Sequence, residues 1–189
     1  MQGELKLFMI LLGCKPKGRH TEQHDIFFGI GSGLKDMKED MINFWHEGGE
    51  KIHIDAWREV NVVDSYEVRI FPKDIVADHQ HAGSKLFFLN LGGYKENEFE
   101  EYHYKMLIAA PDKGSAIKRG KETIFYKHTG FKGAESHIDD KYGVDVDDLF
   151  EIEDVLPEKF KKNYCIRLIE SKIKKEDSIQ LGYVQFSKI

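Results

Sequence analysis

Hydrophobic residues fill both alternating faces of the segment 5–12, where Lys6 is the one polar position. A strand that is apolar on both faces is typical of the covered centre of a sheet. The segment 85–91 has a closely similar pattern and also begins next to a lysine, Lys85. We therefore predict two central strands, one in each half of the chain.

The segments that follow each central strand also come in pairs. Alternating or short apolar runs predict strands, and a serine before a run with apolar residues three and four apart predicts a helix N-cap. The expected elements are strands 24–30, 51–57 and 66–71 with a helix after Ser32, then strands 103–110 and 135–139 with a helix after Ser115. This order predicts an α+β fold with a mainly antiparallel sheet.

The two halves share residue identities, which indicates an internal duplication. The residues KLFMILLGC at 6–14 return as KLFFLNLGG at 85–93, an offset of 79 positions. After short insertions the offset reaches 84, where the motif His-Ile-Asp at 53–55 meets His-Ile-Asp at 137–139. We expect two homologous β-β-α-β-β lobes in tandem, related by a pseudo-two-fold axis.

The predicted lobes span residues 1–76 and 77–158, which leaves 159–189 outside the repeat. In that remainder, strand-like runs at 164–170 and 179–186 flank a polar stretch. Two such runs close together in sequence predict a C-terminal β-hairpin that completes the fold.

The amino-acid composition indicates which kinds of binding partner and which cellular compartment to expect. The chain is 41% hydrophobic and 32% charged, as ordinary globular proteins are, and its net charge is -5. Proteins that bind nucleic acids present a basic surface to the phosphates, and this chain is acidic overall. We therefore expect no nucleic-acid partner. The two cysteines have no metal-ligand spacing and fit a reducing cytoplasm. The composition neither favours nor excludes a homo-oligomer.

The residues Ile10–Cys14, which follow a short apolar run, resemble a lipoprotein cleavage site. Its internal copy at 85–93 cannot be a signal peptide, so a buried strand explains both segments. No stretch approaches the roughly twenty apolar residues that cross a bilayer. We expect a cytoplasmic protein with no membrane partner.

Candidate chemistry lies in two short motifs that both halves keep. One is Glu-x-His at Glu22 and His24, repeated at 101–103, and the other is His-x-Asp at His53 and Asp55. Residues two apart on a strand point to the same face. If the two strands are neighbours, two imidazoles and two carboxylates converge, a set that suits a divalent metal or general acid-base chemistry. The candidate metal ligands are His24, His53 and Asp55.

Three further candidates occur only in the first half. Arg19 and His20 stand in the loop before Glu22, where the guanidinium could hold a carboxylate or phosphate. Trp57, expected on the face of His53, could supply an apolar wall. Surface salt bridging of Arg19 and core packing of Trp57 are the simpler alternatives. The predicted ligand-binding set is Arg19, His20, Glu22, His24, His53, Asp55 and Trp57.

Two classes of function remain open, and the sequence does not decide whether the protein is an enzyme. We prefer small-ligand or divalent-metal binding by the two motifs, with the metal as the one candidate cofactor and a small molecule as the candidate partner. The alternative is a non-catalytic protein-interaction or assembly module in which the motifs are structural, held by hydrogen bonds that buried polar groups require.

The sequence GCKPKGRHTEQHDIFFGI at 13–30, followed by KIHIDAWREV at 51–60, resembles a bacterial family known as domain of unknown function 1543. The resemblance covers most of residues 6–70 and, more faintly, 85–155. It implies a one- or two-copy domain and supplies no catalytic residue, substrate or cofactor. The second copy departs from the pattern because it lacks the Arg-His pair and the tryptophan.

Overall fold

The computed structural model describes residues 3–74, 83–94, 97–122, 146–172 and 176–189. These form two compact units. The first combines the N-terminal part of the chain with residues from Leu156 onward. The second is formed by the part of the sequence between these two segments and ends at Val155. Among the described residues, no helix is both long and apolar enough to cross a bilayer.

The first unit is built on a four-stranded antiparallel sheet. Its strands are β1 (Lys6–Cys14), β2 (Gln23–Gly31), β3 (His53–Val60) and β10 (Gln180–Gln185), in the spatial order β10-β3-β1-β2. Strand β1 is central, as its pattern predicts, and Leu7, Ile10 and Leu12 are fully buried. Burial on both faces fits a strand that is covered on both sides.

Helical segments cover one face of this sheet. They are a 3-10 turn at Leu34–Met37, helix α1 (Lys38–Phe44) and 3-10 turns at His46–Lys51. The ring of Phe44 contacts that of Phe27 on β2 at 5.6 Å. The predicted N-cap at Ser32 is wrong in detail: Gly33 precedes the first turn, and the Asp36 carboxylate accepts hydrogen bonds from the backbone N–H and hydroxyl of Ser32.

A second sheet completes the first unit. It contains β4 (Val62–Val63), β5 (Tyr66–Pro72) and β9 (Tyr164–Glu170), with β5 in the centre, and β9 follows the helix α4 (Glu158–Asn163).

The predicted C-terminal hairpin is wrong, although both of its strands exist. Strand β9 pairs with β5 along its whole length, and β10 pairs with β3. The Asp177 carboxylate accepts hydrogen bonds from the backbone N–H groups of Asn61 and Val62, at 2.8 and 3.1 Å, and so anchors the residues before β10 to the end of β3. Pairing with strands distant in sequence replaces the local turn, because each strand satisfies its backbone groups at a different sheet.

The second unit contains a three-stranded antiparallel sheet with the order β7-β6-β8. Its strands are β6 (Lys85–Tyr94), β7 (Glu101–Ala110) and β8 (Val146–Glu151), followed by helix α3 (Ile152–Val155). Helix α2 (Lys113–Lys121) places Ala116 in a core formed with Phe87, Leu89 and Ile108.

The cap of helix α2 also differs from the expectation. Asp112 is the N-cap and Ser115 lies inside the first turn, where its backbone N–H donates to the Asp112 carboxylate at 2.8 Å. The helix begins earlier because the inserted residues 110–113 contain this aspartate, whose carboxylate satisfies an N–H that a helix start leaves without a partner.

The register of β8 against β6 can be compared with that of β3 against β1. Ile54 on β3 faces Leu12, and Val146 on β8 faces the matching residue of β6, Leu91. By register, Ile54 and Val146 therefore hold equivalent positions in their sheets. The predicted strand 135–139, with its His-Ile-Asp motif, lies outside the described residues.

Candidate functional site

The site begins at a glycine near the end of the central strand of the first unit. Gly13 on β1 faces His24 on β2 and His53 on β3. Directly opposed residues of antiparallel strands point to the same face, so the two imidazoles flank a position without a side chain. A β-carbon added at Gly13 would lie 2.5 Å from Nε2 of His53 and would also meet the Asp55 carboxylate. The glycine therefore leaves the space in which these groups meet.

Two carboxylates join the two imidazoles in this space. His53 Nε2 lies 3.0 Å from Glu22 Oε1 and 3.4 Å from Asp55 Oδ1. His24 Nε2 lies 3.2 Å from Asp55 Oδ2 and 3.8 Å from Glu22 Oε2. We call Glu22, His24, His53 and Asp55 the imidazole–carboxylate cluster. The expected convergence of the two motifs is present in the first unit.

The members of the cluster differ in how firmly they are held. The side chain of His53 is 7% exposed, whereas those of His24 and Glu22 are 43% and 45% exposed. The ring of Tyr183 on β10 packs against the His53 ring with centroids 4.4 Å apart. His53 is thus a fixed element, and Glu22, which lies just before β2, is open to solvent and free to turn.

A hydrogen bond places a proton on Nδ1 of His53. Nδ1 lies 3.1 Å from the backbone carbonyl oxygen of Lys51. A carbonyl only accepts, so Nδ1 must be the donor. In a neutral ring, Nε2 then has a lone pair and no proton. That lone pair faces the oxygen atoms of Glu22 and Asp55, which are acceptors as well.

One oxygen of the cluster has no hydrogen bond. Oδ2 of Asp55 is buried without a hydrogen-bond partner, although His24 Nε2 lies 3.2 Å away. A buried carboxylate oxygen without a donor is costly. With a neutral His53 ring, the cluster therefore places three acceptors close together, His53 Nε2 and one oxygen each of Glu22 and Asp55, and leaves a fourth, Asp55 Oδ2, unsatisfied.

The described part of the chain contains no group of three or more His, Cys, Asp or Glu side chains that is arranged to hold a metal ion as it stands. The imidazole–carboxylate cluster is held in pairwise contacts instead. This bears on the three predicted metal ligands, His24, His53 and Asp55, which are neighbours but do not surround a common point.

Trp57 lies on the opposite face of the sheet, so its expected place beside His53 is wrong. Trp57 faces Ile10, whereas His53 faces Gly13, three residues further along β1. The register shifts between Leu11 and Leu12, and the extra residue at Asp55 reverses the alternation along β3. The Trp57 ring instead contacts that of Phe8, with centroids 6.0 Å apart.

Arg19 and His20 are exposed in the turn between β1 and β2. The backbone N–H of Arg19 donates to the Pro16 carbonyl, and neither side chain belongs to the ion pairs of the cluster. Without a fixed cation from Arg19, the two carboxylates leave the cluster electronegative. This charge favours a cation over the anionic ligand that Arg19 suggested.

Cys14, the residue after Gly13, is not a nucleophile in this arrangement. Its side chain is fully buried, and its thiol contacts the Gly48 carbonyl oxygen at 3.8 Å. Burial, the largest cause, raises the pKa of the Cys14 thiol. The protonated form is the unreactive one.

Three contributors were missed in the sequence: Gly13, the Lys51 carbonyl and Tyr183. A signal existed for Gly13, because a glycine stands at the matching position 92 in the second half. The Lys51 carbonyl and Tyr183 had none, since a backbone hydrogen bond and a strand distant in sequence leave no local pattern.

Comparison with known proteins finds a family match for one segment of the chain, and that family has no activity in its description. Residues 19–70 match the model of the family described as Domain of Unknown Function (DUF1543). The match confirms the resemblance for this segment, which contains all four residues of the imidazole–carboxylate cluster. No curated protein matches the chain.

The fold is also similar to that of solved structures. The crystal structure of the protein Il1583 from Idiomarina loihiensis superposes with a TM-score of 0.62 over 97% of this chain and 98% of that one, at 18% sequence identity. At that identity the likeness extends to the fold alone.

Proposed function

We propose that the imidazole–carboxylate cluster of the first unit binds a divalent transition-metal cation. The observation that carries the proposal is the position of His53 Nε2, which faces two carboxylates while Nδ1 of the same ring donates to a backbone carbonyl. Acceptors repel one another at 3.0 and 3.4 Å unless a positive charge lies between them. Either a proton on Nε2 or a bound cation supplies that charge.

The donor types and their spacing favour a transition metal. Imidazole nitrogen and carboxylate oxygen are the ligands of zinc and its neighbours, whereas magnesium and calcium prefer oxygen alone. Two donors bound tetrahedrally at about 2.1 Å from one ion lie roughly 3.4 Å apart. The four nitrogen–oxygen separations of the cluster, 3.0 to 3.8 Å, span this value.

A second feature supports the proposal. The Nδ1–H of His53 donates to a backbone carbonyl, which is the arrangement that orients histidine ligands and frees Nε2 for a metal. The step from pairwise contacts to a coordination sphere is then a small one, because Glu22 is exposed and its carboxylate can turn away from the Nε2 atoms.

The site is open to small molecules. His24 is 43% exposed, so an ion held there would be reached from solvent. Such an ion would polarise a ligand oxygen or a water molecule, which is the chemistry that an accessible metal supplies. A small oxygen-donor ligand bound to the ion fits the electronegative cluster better than direct binding of an anion.

The test is metal analysis of the full chain purified without a histidine tag, with Zn²⁺ titration by calorimetry. We expect binding by the wild type, and its loss in a His24→Ala, His53→Ala double variant. His20→Ala is the matched control, because His20 is exposed nearby and outside the cluster. No binding of Zn²⁺, Mn²⁺ or Ni²⁺ by the wild type, with clear destabilisation of the double variant, would leave the structural interpretation standing.

Exposed apolar residues support the second candidate function, a protein-interaction surface. Leu181 and Tyr183 on β10 are 82% and 62% exposed, and Ile179 precedes them at 60%. Apolar side chains grouped in this way favour contact with another protein. Under this alternative, Leu181→Ser would change the oligomeric state or partner binding of the chain while Zn²⁺ binding stayed the same.

We also infer that the two units arose by duplication. In each sheet the first strand is central, its neighbours hold equivalent places, and the register shift falls at matching positions. A lysine at the start of the central strand pairs with a glutamate of the adjacent strand in both, Lys6 with Glu59 at 2.6 Å and Lys85 with Glu151 at 2.9 Å. Superposition of the two sheets in a crystal structure would test the inference.

A further inference from the structure

The second unit has polar groups at the place that the imidazole–carboxylate cluster holds in the first. Gly92 on β6 faces His103 on β7, as Gly13 faces His24. The His103 Nε2 lies 3.8 Å from a Glu101 oxygen, the same separation that joins His24 to Glu22.

The two arrangements differ at one residue of the central strand. Two positions before the glycine, β1 has Leu11 and β6 has Asn90. Asn90 faces Asp148 on β8, just as Leu11 faces Ala56 on β3. Because residues two apart share a face, the Asn90 amide points to the side on which His103 lies.

The amide of Asn90 connects the imidazole to a carboxylate. Its Nδ2 is 3.1 Å from Asp148 Oδ2 and 3.2 Å from His103 Nδ1. A carboxylate only accepts, which assigns the nitrogen to this side of the amide, and the amide then also donates to His103. The Nδ1 of His103 is therefore the acceptor, and a neutral ring has its proton on Nε2. This tautomer is the reverse of the one at His53.

The side chain of Asn90 is buried as well as hydrogen-bonded. Asn90 is only 9% exposed, and its Oδ1 is buried without a hydrogen-bond partner. A buried amide with one unsatisfied atom is a cost that a purely structural core position avoids. In the first unit, acceptors face one another at the equivalent place. In the second unit, the Asn90 amide donates two hydrogen bonds there.

We propose that the second unit contains a closed counterpart of the first unit's cation site, in which the Asn90 amide takes the place of the cation. Its two N–H bonds supply the positive charge density that His103 and Asp148 would otherwise require from an ion. Of these two places in the described part of the chain, only that of the first unit then binds a divalent cation. This inference rests on the proposed function for its comparison site, yet the His103 tautomer tests it separately.

The experiment is a long-range ¹H–¹⁵N spectrum of the histidine side chains in the full chain, recorded with and without Zn²⁺ alone. His103 is assigned from the spectrum of His103→Gln. We expect an unprotonated Nδ1 and a protonated Nε2 for His103, and no change of its signals when Zn²⁺ shifts those of His24 and His53. A protonated Nδ1 on His103, or a Zn²⁺ shift as large as that of His24, would overturn the inference.

The variant Asn90→Leu copies the residue of the first unit and removes both donated bonds. We expect its His103 to lose the fixed tautomer and to respond to Zn²⁺, and an unchanged His103 would count against the role of the amide. If this variant fails to fold, the wild-type spectrum still decides. If Zn²⁺ moves no histidine of the wild type, the proposed function fails, whereas the His103 tautomer continues to test the Asn90 contact.

Discussion

Gly13 holds open the space into which His53 points, since a β-carbon at this position would lie 2.5 Å from the His53 Nε2. The central strand is otherwise filled with large buried side chains. Glycine in the interior of a strand weakens it, and a frequent reason for its presence is the close approach of another group. Here that group is an imidazole with the carboxylate of Asp55.

Gly13→Ala should abolish cation binding while the chain still folds. The new methyl group would overlap the ends of the Asp55 and His53 side chains. The Asp55 carboxylate can turn aside, whereas the packed His53 ring must shift, so some loss of stability should accompany the loss of binding. Zn²⁺ calorimetry measures the loss, and circular dichroism checks the fold.

Gly33→Ala is the matched control for that variant. A β-carbon at Gly33 would meet nothing within 4 Å, and its φ of -176° is extended backbone that alanine adopts readily. This control should bind as the wild type does. Full Zn²⁺ binding by Gly13→Ala would show that the empty position is not part of the site.

Much of the fold was predictable because the hydrophobic pattern of a strand is a local property of the sequence. The double-sided apolar runs beginning near Leu7 and Leu86 predict the central strands, and both residues are buried. The two conserved spacings likewise predicted that His24 and His53 would converge, since residues two apart on a strand share a face and the strands flank β1.

What sequence could not predict depends on register and on distant pairing. A one-residue shift at Asp55 moves Trp57 to the other face, and no local pattern marks that shift. The partners of β9 and β10 were also unpredictable. Each pairs with a strand more than ninety positions earlier in the chain, whereas a hairpin was the nearest local solution.

Trp57→Ala should lower stability and leave cation binding unchanged. The indole packs on Phe8 across the sheet from the cluster, and its loss removes partly buried aromatic surface. For a partly buried position we expect a loss of about 1–3 kcal/mol in the free energy of unfolding, less than for a full core tryptophan. Urea denaturation and Zn²⁺ calorimetry measure the two effects. A marked loss of affinity in a folded variant would mean that Trp57 reaches the site.

Cys14 should make the protein less stable at alkaline pH. Burial raises the pKa of this thiol in the folded state, so the unfolded thiol ionises first as the pH rises. The stabilising contribution is complete below the ordinary pKa of cysteine, about 8.5, and is lost as the pH rises above it. Cys14→Ala should show a smaller alkaline loss in urea denaturation than Cys165→Ala, with reductant present. Equal losses in the two variants would contradict the prediction.

Tyr183 should matter to the cation site through its ring and not through its hydroxyl. The ring packs with its centroid 4.4 Å from that of His53, so it restrains the imidazole in addition to the Lys51 hydrogen bond. Tyr183→Phe keeps the ring and should bind Zn²⁺ as the wild type does. Tyr183→Ala loses an aromatic contact of about 0.5–1.5 kcal/mol, which corresponds to a Kd raised roughly two- to tenfold. Because the side chain is largely exposed, both variants should fold. Equal weakening in the two variants would assign the effect to the hydroxyl, and no weakening in either would show that the Lys51 hydrogen bond alone orients His53.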